Sequence, residues 1–221
     1  MSWKWSASWE EADMTKEEWY SALAQRHGAD LQRKLSSACV AVCGLGGLGS
    51  NVAISLARAG VGTLHLIDFD SVDISNLHRQ QYAISQLGMY KTAAMKQTLS
   101  EIAPYCNVIT HTEKLTEYNL SLLADCDIIC ECFDNAECKS MLVNGVIENY
   151  SDKYIVAASG MSGLHPCNTI QTKRLGKRLY LCGDGTSDVS EDGTLFAPRV
   201  MLCAAHQANT VLRIIAGKFE V

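Results

Sequence analysis

The feature of this 221-residue sequence that most constrains its fold is a regular alternation of short apolar runs with longer helical patterns. Apolar runs that fit β-strands occur at residues 39–43, 63–68, 107–114, 127–132 and 154–160. Segments with helical spacing lie between them, at residues 47–58, 90–102, 116–124 and 136–151. Strands that are joined by helices pair in parallel through right-handed crossovers. We therefore expect an α/β fold with a doubly wound, mainly parallel, Rossmann-like sheet.

The C-terminal part of the sequence departs from this alternation. Two strand-like runs, 168–173 and 178–182, flank a short polar turn and predict an antiparallel extension of the sheet. The glycine-rich, acidic segment 183–194 is the best candidate for a mobile loop. A last helix is expected over residues 198–216.

The N-terminal 35 residues contain all the tryptophans of the chain, Trp3, Trp5, Trp9 and Trp19. Thr15 and Glu18 form a capping-box pattern, which predicts a helix running to about Arg33. We divide the chain into an N-terminal helical arm, residues 1–35, and a single domain, residues 36–221. Tryptophans outside a core need a surface that buries them. This surface could belong to the same subunit or to a neighbouring subunit.

Charge and composition exclude several classes of function. The net charge is −5 and the pI is near 5.7, without a basic block, which argues against a nucleic-acid partner. No apolar stretch has the length of a signal peptide core or a membrane span, so we expect a soluble cytoplasmic protein without a membrane partner. The 10 cysteines include no C-x-x-C pair, so we expect buried, reduced thiols and no zinc site.

The sequence GLGGLG at residues 44–49 follows the first strand and opens the first helix of the domain. Gly44 permits a tight turn, Gly46 lets the backbone approach a phosphate, and Gly49 allows the helix to pack closely on the strand. Asp68, at the end of the second strand, is placed to accept hydrogen bonds from a ribose. This arrangement fits NAD as well as ATP.

Polar residues after the second strand distinguish between these nucleotides. The loop 68–80 contains the candidate binding side chains Asp68, Asp70, Ser75, Asn76 and Arg79, together with Gln80, and Lys91, a further candidate, opens the helix that follows. An arginine, a lysine and an amide that converge at one site suit the spread charge of a triphosphate better than a dinucleotide. An alternative is that Asp70 and Arg79 form a surface ion pair.

Asp134 and Asn135 follow the fourth strand and should reach the same edge of the sheet. A carboxylate that faces a polyphosphate implies Mg²⁺, a hard cation that binds oxygen ligands. We therefore expect Asp134 to bind Mg²⁺ and Asn135 to lie beside the nucleotide. Asp134 could also be the N-cap of the following helix.

Together, GLGGLGS, DFDSVDISNLHRQ, Lys91 and FDN resemble the ThiF/MoeB/HesA family, the bacterial relatives of ubiquitin-activating enzymes. The resemblance covers about residues 36–217 and is greatest to the short, zinc-free ThiF branch associated with thiamine biosynthesis. It implies ATP- and Mg²⁺-dependent adenylation of the C-terminal Gly-Gly carboxylate of a small ubiquitin-like sulfur carrier such as ThiS, with release of pyrophosphate.

The resemblance also implies roles for individual residues. Those proposed at the nucleotide are Gly47 for phosphate, Asp68 for ribose, Asn76, Arg79 and Lys91 for the polyphosphate, and Asp134 for Mg²⁺. Family enzymes use an arginine from the arm of the other subunit, which makes Arg26, and after it Arg33, a candidate in trans and implies a homodimer. Cys182 is the nearest candidate for a covalent link to the carrier, although it also fits a buried strand. Segment 161–197 would cover the extended tail of the carrier.

Other functions remain open on the sequence alone. An NAD(P)-dependent oxidoreductase would use the same fold, although no hydride-transfer proton donor stands out in the sequence. A scaffold protein that binds nucleotide without turnover has no need for Arg79, Lys91 and Asp134 together. Adenylyltransferases of the molybdopterin and cysteine pathways act on similar carriers.

Overall fold

The computed structural model describes residues 14–221, and seven strands form its sheet. In chain order these strands are β1 (Cys39–Cys43), β2 (Thr63–Ile67), β3 (Asn107–His111), β4 (Ile128–Glu131), β5 (Tyr154–Ala158), β6 (Gln171–Leu175) and β7 (Leu179–Gly183). Their order across the sheet is β3-β2-β1-β4-β5-β7-β6. All neighbours are parallel except β6 and β7, which pair antiparallel. The predicted doubly wound sheet and its antiparallel extension are confirmed.

Helices cover both faces of this sheet. The α-helices are α1 (Lys16–His27), α2 (Ala29–Ser37), α3 (Gly47–Arg58), α4 (Lys91–Ile102), α5 (Ala136–Asn149), α6 (Val189–Asp192) and α7 (Ala197–Ile215). Short 3-10 helices occupy residues Ile74–Asn76, Ile84–Gln86, Leu120–Leu123 and Cys167–Thr169. Within residues 14–221, no helix combines the length and the apolar character needed to cross a membrane.

Strand β1 shows how the two faces are built. Val40 and Val42 point into a core that includes side chains of α3, α4 and α7. Ala41 and Cys43 point the other way, into a second core that includes side chains of α5. This alternation follows from the two-residue period of a strand. It makes β1 buried on both sides, which is typical of a central parallel strand.

Two predicted helices differ in the structure. The N-terminal helix is broken at Gly28, which adopts a φ of 92° between α1 and α2. Residues 116–124 contain only the 3-10 helix Leu120–Leu123, because the Asn119 side chain accepts a hydrogen bond from the Thr116 N–H at 2.7 Å. Such local bonds compete with the regular helical pattern.

The N-terminal arm packs on the domain that follows it. Trp19 of α1 lies partly buried against the core of the same chain, while Trp3, Trp5 and Trp9 lie outside the described residues. Helix α2 crosses the predicted boundary at residue 35, and Leu35 is buried in the core. The division into an arm and a domain stays a prediction.

Candidate functional site

A cavity of about 550 Å³ lies at the carboxyl ends of β1, β2 and β4. Strand β1 pairs with β2 on one side and with β4 on the other, so the chain leaves the sheet in opposite directions at this point. Ligands of doubly wound folds bind at such a switch point. The volume is within the range of small-molecule sites.

The glycine turn forms one wall of the cavity. Gly44 has a φ of 92°, and a Cβ there would lie 2.9 Å from the Cys132 carbonyl oxygen. A Cβ at Gly49 would lie 1.8 Å from the Gly44 carbonyl oxygen. Gly44, Gly46 and Gly47 line the cavity, whereas Gly49 does not. Gly49 therefore allows the helix to lie close to the turn, and it is set back from the cavity.

The N-terminus of α3 opens into this cavity. Gly47 and Leu48 line it, and their N–H groups belong to the first turn, which has no hydrogen-bond acceptors within its own helix. The first turn carries no acidic side chain. The positive end of the helix dipole is therefore available to an anion such as phosphate.

Asp68 fixes the turn to the end of β2. One carboxylate oxygen accepts a hydrogen bond from the Leu45 N–H at 2.6 Å, and the other accepts from the Asp70 N–H at 2.7 Å. Burial raises the pKa of Asp68, although the nearby Lys91 ammonium opposes this shift. Asp68 lines the cavity. A ribose hydroxyl there would donate to carboxylate oxygens that already accept hydrogen bonds from backbone N–H groups.

Lys91 lines the cavity as the first residue of α4. Its Nζ lies 2.8 Å from Asp70 Oδ2, and its N–H donates to the Asp70 carbonyl oxygen at 2.9 Å. The side chain of Lys91 is buried, while that of Asp70 is 48% exposed. The alternative of an Asp70–Arg79 surface pair is wrong, since Asp70 pairs with Lys91.

The Arg79 side chain passes over the glycine turn. Its Cγ would lie 3.5 Å from a Cβ at Gly47. Its Nη1 lies 3.4 Å from the Ser75 carbonyl oxygen and 3.2 Å from His78 Nε2. In the described part of the chain no carboxylate forms an ion pair with Arg79. The guanidinium therefore retains donors for an anionic ligand.

Two neighbours of Arg79 behave differently. Asn76 lines the cavity, as expected of a ligand-binding amide. Ser75 does not line it, because its hydroxyl donates to Asp73 Oδ1 at 2.5 Å at the start of the 3-10 helix Ile74–Asn76. The placement of Ser75 thus gives no support to its expected role in nucleotide binding.

Asp134 and Asn135 lie together at the end of β4 and both line the cavity. Asn135 is the N-cap of α5, and its side-chain oxygen accepts from the N–H groups of Glu137 at 2.8 Å and Cys138 at 3.0 Å. The alternative that Asp134 caps this helix is therefore wrong. Asp134 is exposed, and among residues 14–221 no donor binds its carboxylate. A free carboxylate in a cavity fits a Mg²⁺ ligand.

A buried ion pair at the end of β4 was missed by the sequence reasoning. The side chain of Glu131 is 1% exposed, and it forms an ion pair with Lys139, whose Nζ lies 2.9 Å from Glu131 Oε2. Lys139 also donates to the Ala158 carbonyl oxygen at 3.0 Å and lines the cavity. Burial raises the pKa of Glu131, and the Lys139 ammonium opposes the shift. The sequence signal for this ion pair was an acid within an apolar strand, followed eight positions later by a lysine.

Gln80 was noticed in the sequence only as part of a polar loop. It lines the cavity and is 7% exposed. Its side-chain oxygen is buried without a hydrogen-bond partner in the described region. Because buried acceptors are nearly always paired, this oxygen is a candidate contact for a bound ligand.

Segment 161–197 borders the cavity only at its two ends. Residues 171–183 contain β6 and β7 and belong to the sheet, so the expected cover over a carrier tail is limited to residues 161–170 and 184–197. These two parts are joined where the Gly163 N–H donates to the Thr194 carbonyl oxygen and where Ser162 Oγ donates to Asp192. Mobility of 183–194 stays a prediction.

Two further candidates do not reach the cavity. Cys182 is fully buried in β7, and burial raises the pKa of its thiol. Such a thiol is a poor nucleophile, so the structure argues against a covalent link at Cys182. Arg26 is exposed on α1 and does not line the cavity of its own chain, and Arg33 pairs with Asp30 on the surface. A role for either arginine in trans stays a prediction.

Comparison with protein families and curated proteins gives consistent matches. A family model described as "ThiF family" matches residues 20–221. The chain is 33% identical over 196 residues to the adenylyltransferase and sulfurtransferase UBA4 of Candida glabrata, which covers 86% of this chain and 45% of that protein. It is 41% identical over 115 residues to the molybdopterin-synthase adenylyltransferase of Haemophilus influenzae, which covers 51% of this chain and 47% of that protein. The chain thus spans about half the length of the curated relatives it matches.

One solved structure has the same fold as this chain over nearly the whole length of both. The E. coli tRNA N6-threonylcarbamoyladenosine dehydratase TcdA, in complex with ATP, matches with a TM-score of 0.80 and 20% sequence identity. The match covers 92% of this chain and 97% of that chain. At this identity the likeness shows the fold alone.

Proposed function

Because this chain belongs to the ThiF family, we propose that it transfers the adenylyl group of ATP to the C-terminal carboxylate of a small ubiquitin-like sulfur carrier protein. The observation that carries the proposal is the gathering of Arg79, Lys91 and Asp134 with the glycine turn in one cavity. The names of the relatives, which are adenylyltransferases, support it.

The chemistry requires little beyond positioning and charge neutralisation. The C-terminal carboxylate of a carrier is deprotonated at neutral pH, so it needs no general base. Its oxygen forms a bond to the α-phosphorus of ATP, the bond to the bridging oxygen breaks, and pyrophosphate leaves with the electron pair. The barrier arises from the approach of one anion to another. Arg79, Lys91 and the N-terminus of α3 would lower that barrier by holding the negative charge of the polyphosphate.

Asp134 is the residue that would hold Mg²⁺. Its carboxylate faces the cavity and is not used to cap α5. Bound there with ATP, the ion would supply charge neutralisation of the polyphosphate. Asn76 and Gln80, which also line the cavity, would orient the nucleotide through their amides.

The carrier and its pathway are a finer part of the proposal. The relatives are named for molybdopterin synthase and for sulfur transfer, which favours a carrier of the molybdopterin-synthase type. The expected thiamine carrier ThiS gains no support from these names. Membership of the ThiF family disfavours the NAD(P)-dependent oxidoreductase. A homodimer with Arg26 acting in trans agrees with the exposure of Arg26 on α1.

Exchange of labelled pyrophosphate into ATP tests the proposal. We expect exchange that depends on Mg²⁺ and on a carrier ending in Gly-Gly, and none with the same carrier lacking its last glycine. Carriers of the molybdopterin and thiamine types would be compared in parallel. Absence of exchange with every carrier, together with binding of NADH, would instead favour the oxidoreductase.

Asp134→Ala isolates the role of the carboxylate in that assay. We expect a loss of about 100-fold or more in exchange, with little change in thermal unfolding, because the side chain is exposed. Glu137→Ala is the matched control, since Glu137 is an exposed acid in the first turn of α5 that does not line the cavity. Full exchange by Asp134→Ala would contradict the metal role.

A further inference from the structure

A second cluster of reactive side chains lies near the amino ends of the strands, away from the cavity. Cys39 begins β1, His65 is in the middle of β2, and Cys126 lies two residues before β4. One ligand atom from each lies within 4.8 Å of the other two. Across residues 14–221, this is the one such group of at least three His, Cys, Asp or Glu side chains.

The spacing of the two sulfurs matches ligands of one metal ion. Cys39 Sγ and Cys126 Sγ are 3.5 Å apart. Two thiolates at the usual zinc–sulfur distance of about 2.3 Å, with a tetrahedral angle between them, are separated by about 3.8 Å. The observed pair needs to move by only a few tenths of an ångström to reach that geometry. A disulfide would require the sulfurs to approach to about 2.05 Å.

The donor set selects the kind of ion. Two thiols and an imidazole are ligands for a borderline-soft cation, and they disfavour Mg²⁺ and Ca²⁺, which bind oxygen. We propose that Cys39, His65 and Cys126 form a Zn²⁺ site near the amino ends of β1, β2 and β4, against the expectation of no zinc site that the lack of C-x-x-C pairs gave. Cys39 is partly exposed, so a water molecule from solvent completes the tetrahedron and the ion has a path of entry.

Neighbouring contacts hold two of the three ligands, His65 and Cys126, in place. His65 Nδ1 lies 3.1 Å from His111 Nε2, and the two rings stack with centroids 5.2 Å apart. Lys153 Nζ donates to the Cys126 carbonyl oxygen at 2.7 Å and fixes the turn that carries this thiol. Outer contacts of this kind orient metal ligands and raise metal affinity.

Binding of Zn²⁺ releases the protons of both thiols to solvent and changes no oxidation state. Each thiol becomes a thiolate, and one neutral imidazole nitrogen donates its lone pair. The charged groups around Cys39 are Asp125, Asp127 and Lys153. Because two protons leave for each ion bound, zinc affinity should rise with pH.

Titration with Co²⁺ tests the site in the full chain after reduction and removal of metal. We expect one equivalent to bind with thiolate-to-cobalt charge-transfer absorption and the visible bands of a tetrahedral ion, and one equivalent of Zn²⁺ to displace it. Zn²⁺ should also raise the thermal unfolding midpoint of the wild-type chain, and a chelator should reverse that shift.

Variants assign the ligands. Cys39→Ser and His65→Asn should each lower Co²⁺ affinity by about 100-fold or more, and Cys39→Ser should remove part of the charge-transfer absorption. Cys167→Ser is the control, because Cys167 is an exposed thiol that is not part of the group. The proposal is overturned if the wild-type chain does not saturate at one equivalent, if the bands are unchanged in Cys39→Ser, or if the reduced chain oxidises to a Cys39–Cys126 disulfide in the presence of Zn²⁺.

Discussion

Two ion pairs near the cavity use similar side chains in different surroundings. Lys91 and Asp70 are 2.8 Å apart, and Asp70 is 48% exposed. Arg199 and Asp184 are 2.5 Å apart, and both are almost fully buried, at 3% and 5% exposure. Water can solvate Asp70 when Lys91 binds another anion. If either member of the second pair moves away, the other is left as a buried charge without a partner. The first pair is therefore suited to a ligand and the second to holding the fold.

The contacts of the buried pair support that distinction. Asp184 also accepts hydrogen bonds from the N–H groups of Thr186 and Ser187, each at 2.8 Å. Arg199 donates to the carbonyl oxygens of His165 at 2.8 Å and Pro166 at 2.9 Å. The pair thus fastens both segments that border the cavity, 161–170 and 184–197, to the N-terminus of α7.

Removal of the buried acid should have the largest effect. Asp184→Ala leaves the Arg199 guanidinium buried without its counter-charge, and we expect a loss of about 3–5 kcal/mol in the free energy of unfolding. Urea denaturation measures this change. Asp70→Ala is the comparison and should cost less, because the buried Lys91 ammonium keeps the Asp68 carboxylate as a nearby negative charge. Equal losses in the two variants would remove the distinction between the pairs.

Replacement of the lysine should affect activity more than stability. Lys91→Met keeps the apolar stem of the side chain but removes the cation that would hold the polyphosphate. We expect pyrophosphate exchange to fall by about 100- to 1,000-fold, while the urea midpoint changes little. Lys96→Met, an exposed position on the same helix, should retain exchange. A Lys91→Met protein with full exchange would show that the pair with Asp70 is only structural.

The sequence predicted most of the fold because the strand and helix periods are regular. The run CVAVC and the glycine turn after it place β1, α3 and the cavity within a residue or two of the structure. The break at Gly28 was missed, because the capping pattern at Thr15 marks where a helix starts and says nothing about where it ends. Residues 116–124 were misjudged, because a side-chain hydrogen bond to the backbone outweighed weak helical spacing.

The candidate site was predictable where its residues follow strand ends in sequence. Asp68 lies directly after β2 and Asp134 three residues after β4, so the topology brings them to one edge. The Arg199–Asp184 pair joins a loop to a later helix, and Gln80 is unusual only because its oxygen is buried without a partner. Cys39 and Cys126 are 87 positions apart, so a search for C-x-x-C pairs could not find them. Such features depend on packing in three dimensions and leave no local pattern.

Acid should weaken the buried pair of Asp184 and Arg199, by an amount smaller than the full loss expected for Asp184→Ala. Burial alone would raise the pKa of Asp184, but the N–H groups of Ser187 and Thr186 and the Arg199 guanidinium bring it to about 2. Because this folded-state pKa lies below the unfolded value, the stabilisation is present above about pH 4 and is lost as pH falls toward 2. Asp184→Asn should lack this part of the pH dependence. Urea midpoints measured for both proteins over this range would contradict the assignment if the two curves ran parallel.

The smallest effect on stability is expected at Gln80, whose buried side-chain oxygen has no partner in the described residues. Gln80→Leu removes that unpaired acceptor, so the free energy of unfolding should stay within about 1 kcal/mol of wild type or rise, while ATP affinity falls several-fold. Gln207→Leu is the matched control, because its buried Nε2 donates to the carbonyl oxygens of Glu131 at 2.9 Å and Val156 at 3.0 Å. It leaves two buried acceptors without their donor and should be clearly destabilising. Equal destabilisation by the two substitutions would mean that the amide of Gln80 holds the fold and has no oxygen reserved for a nucleotide.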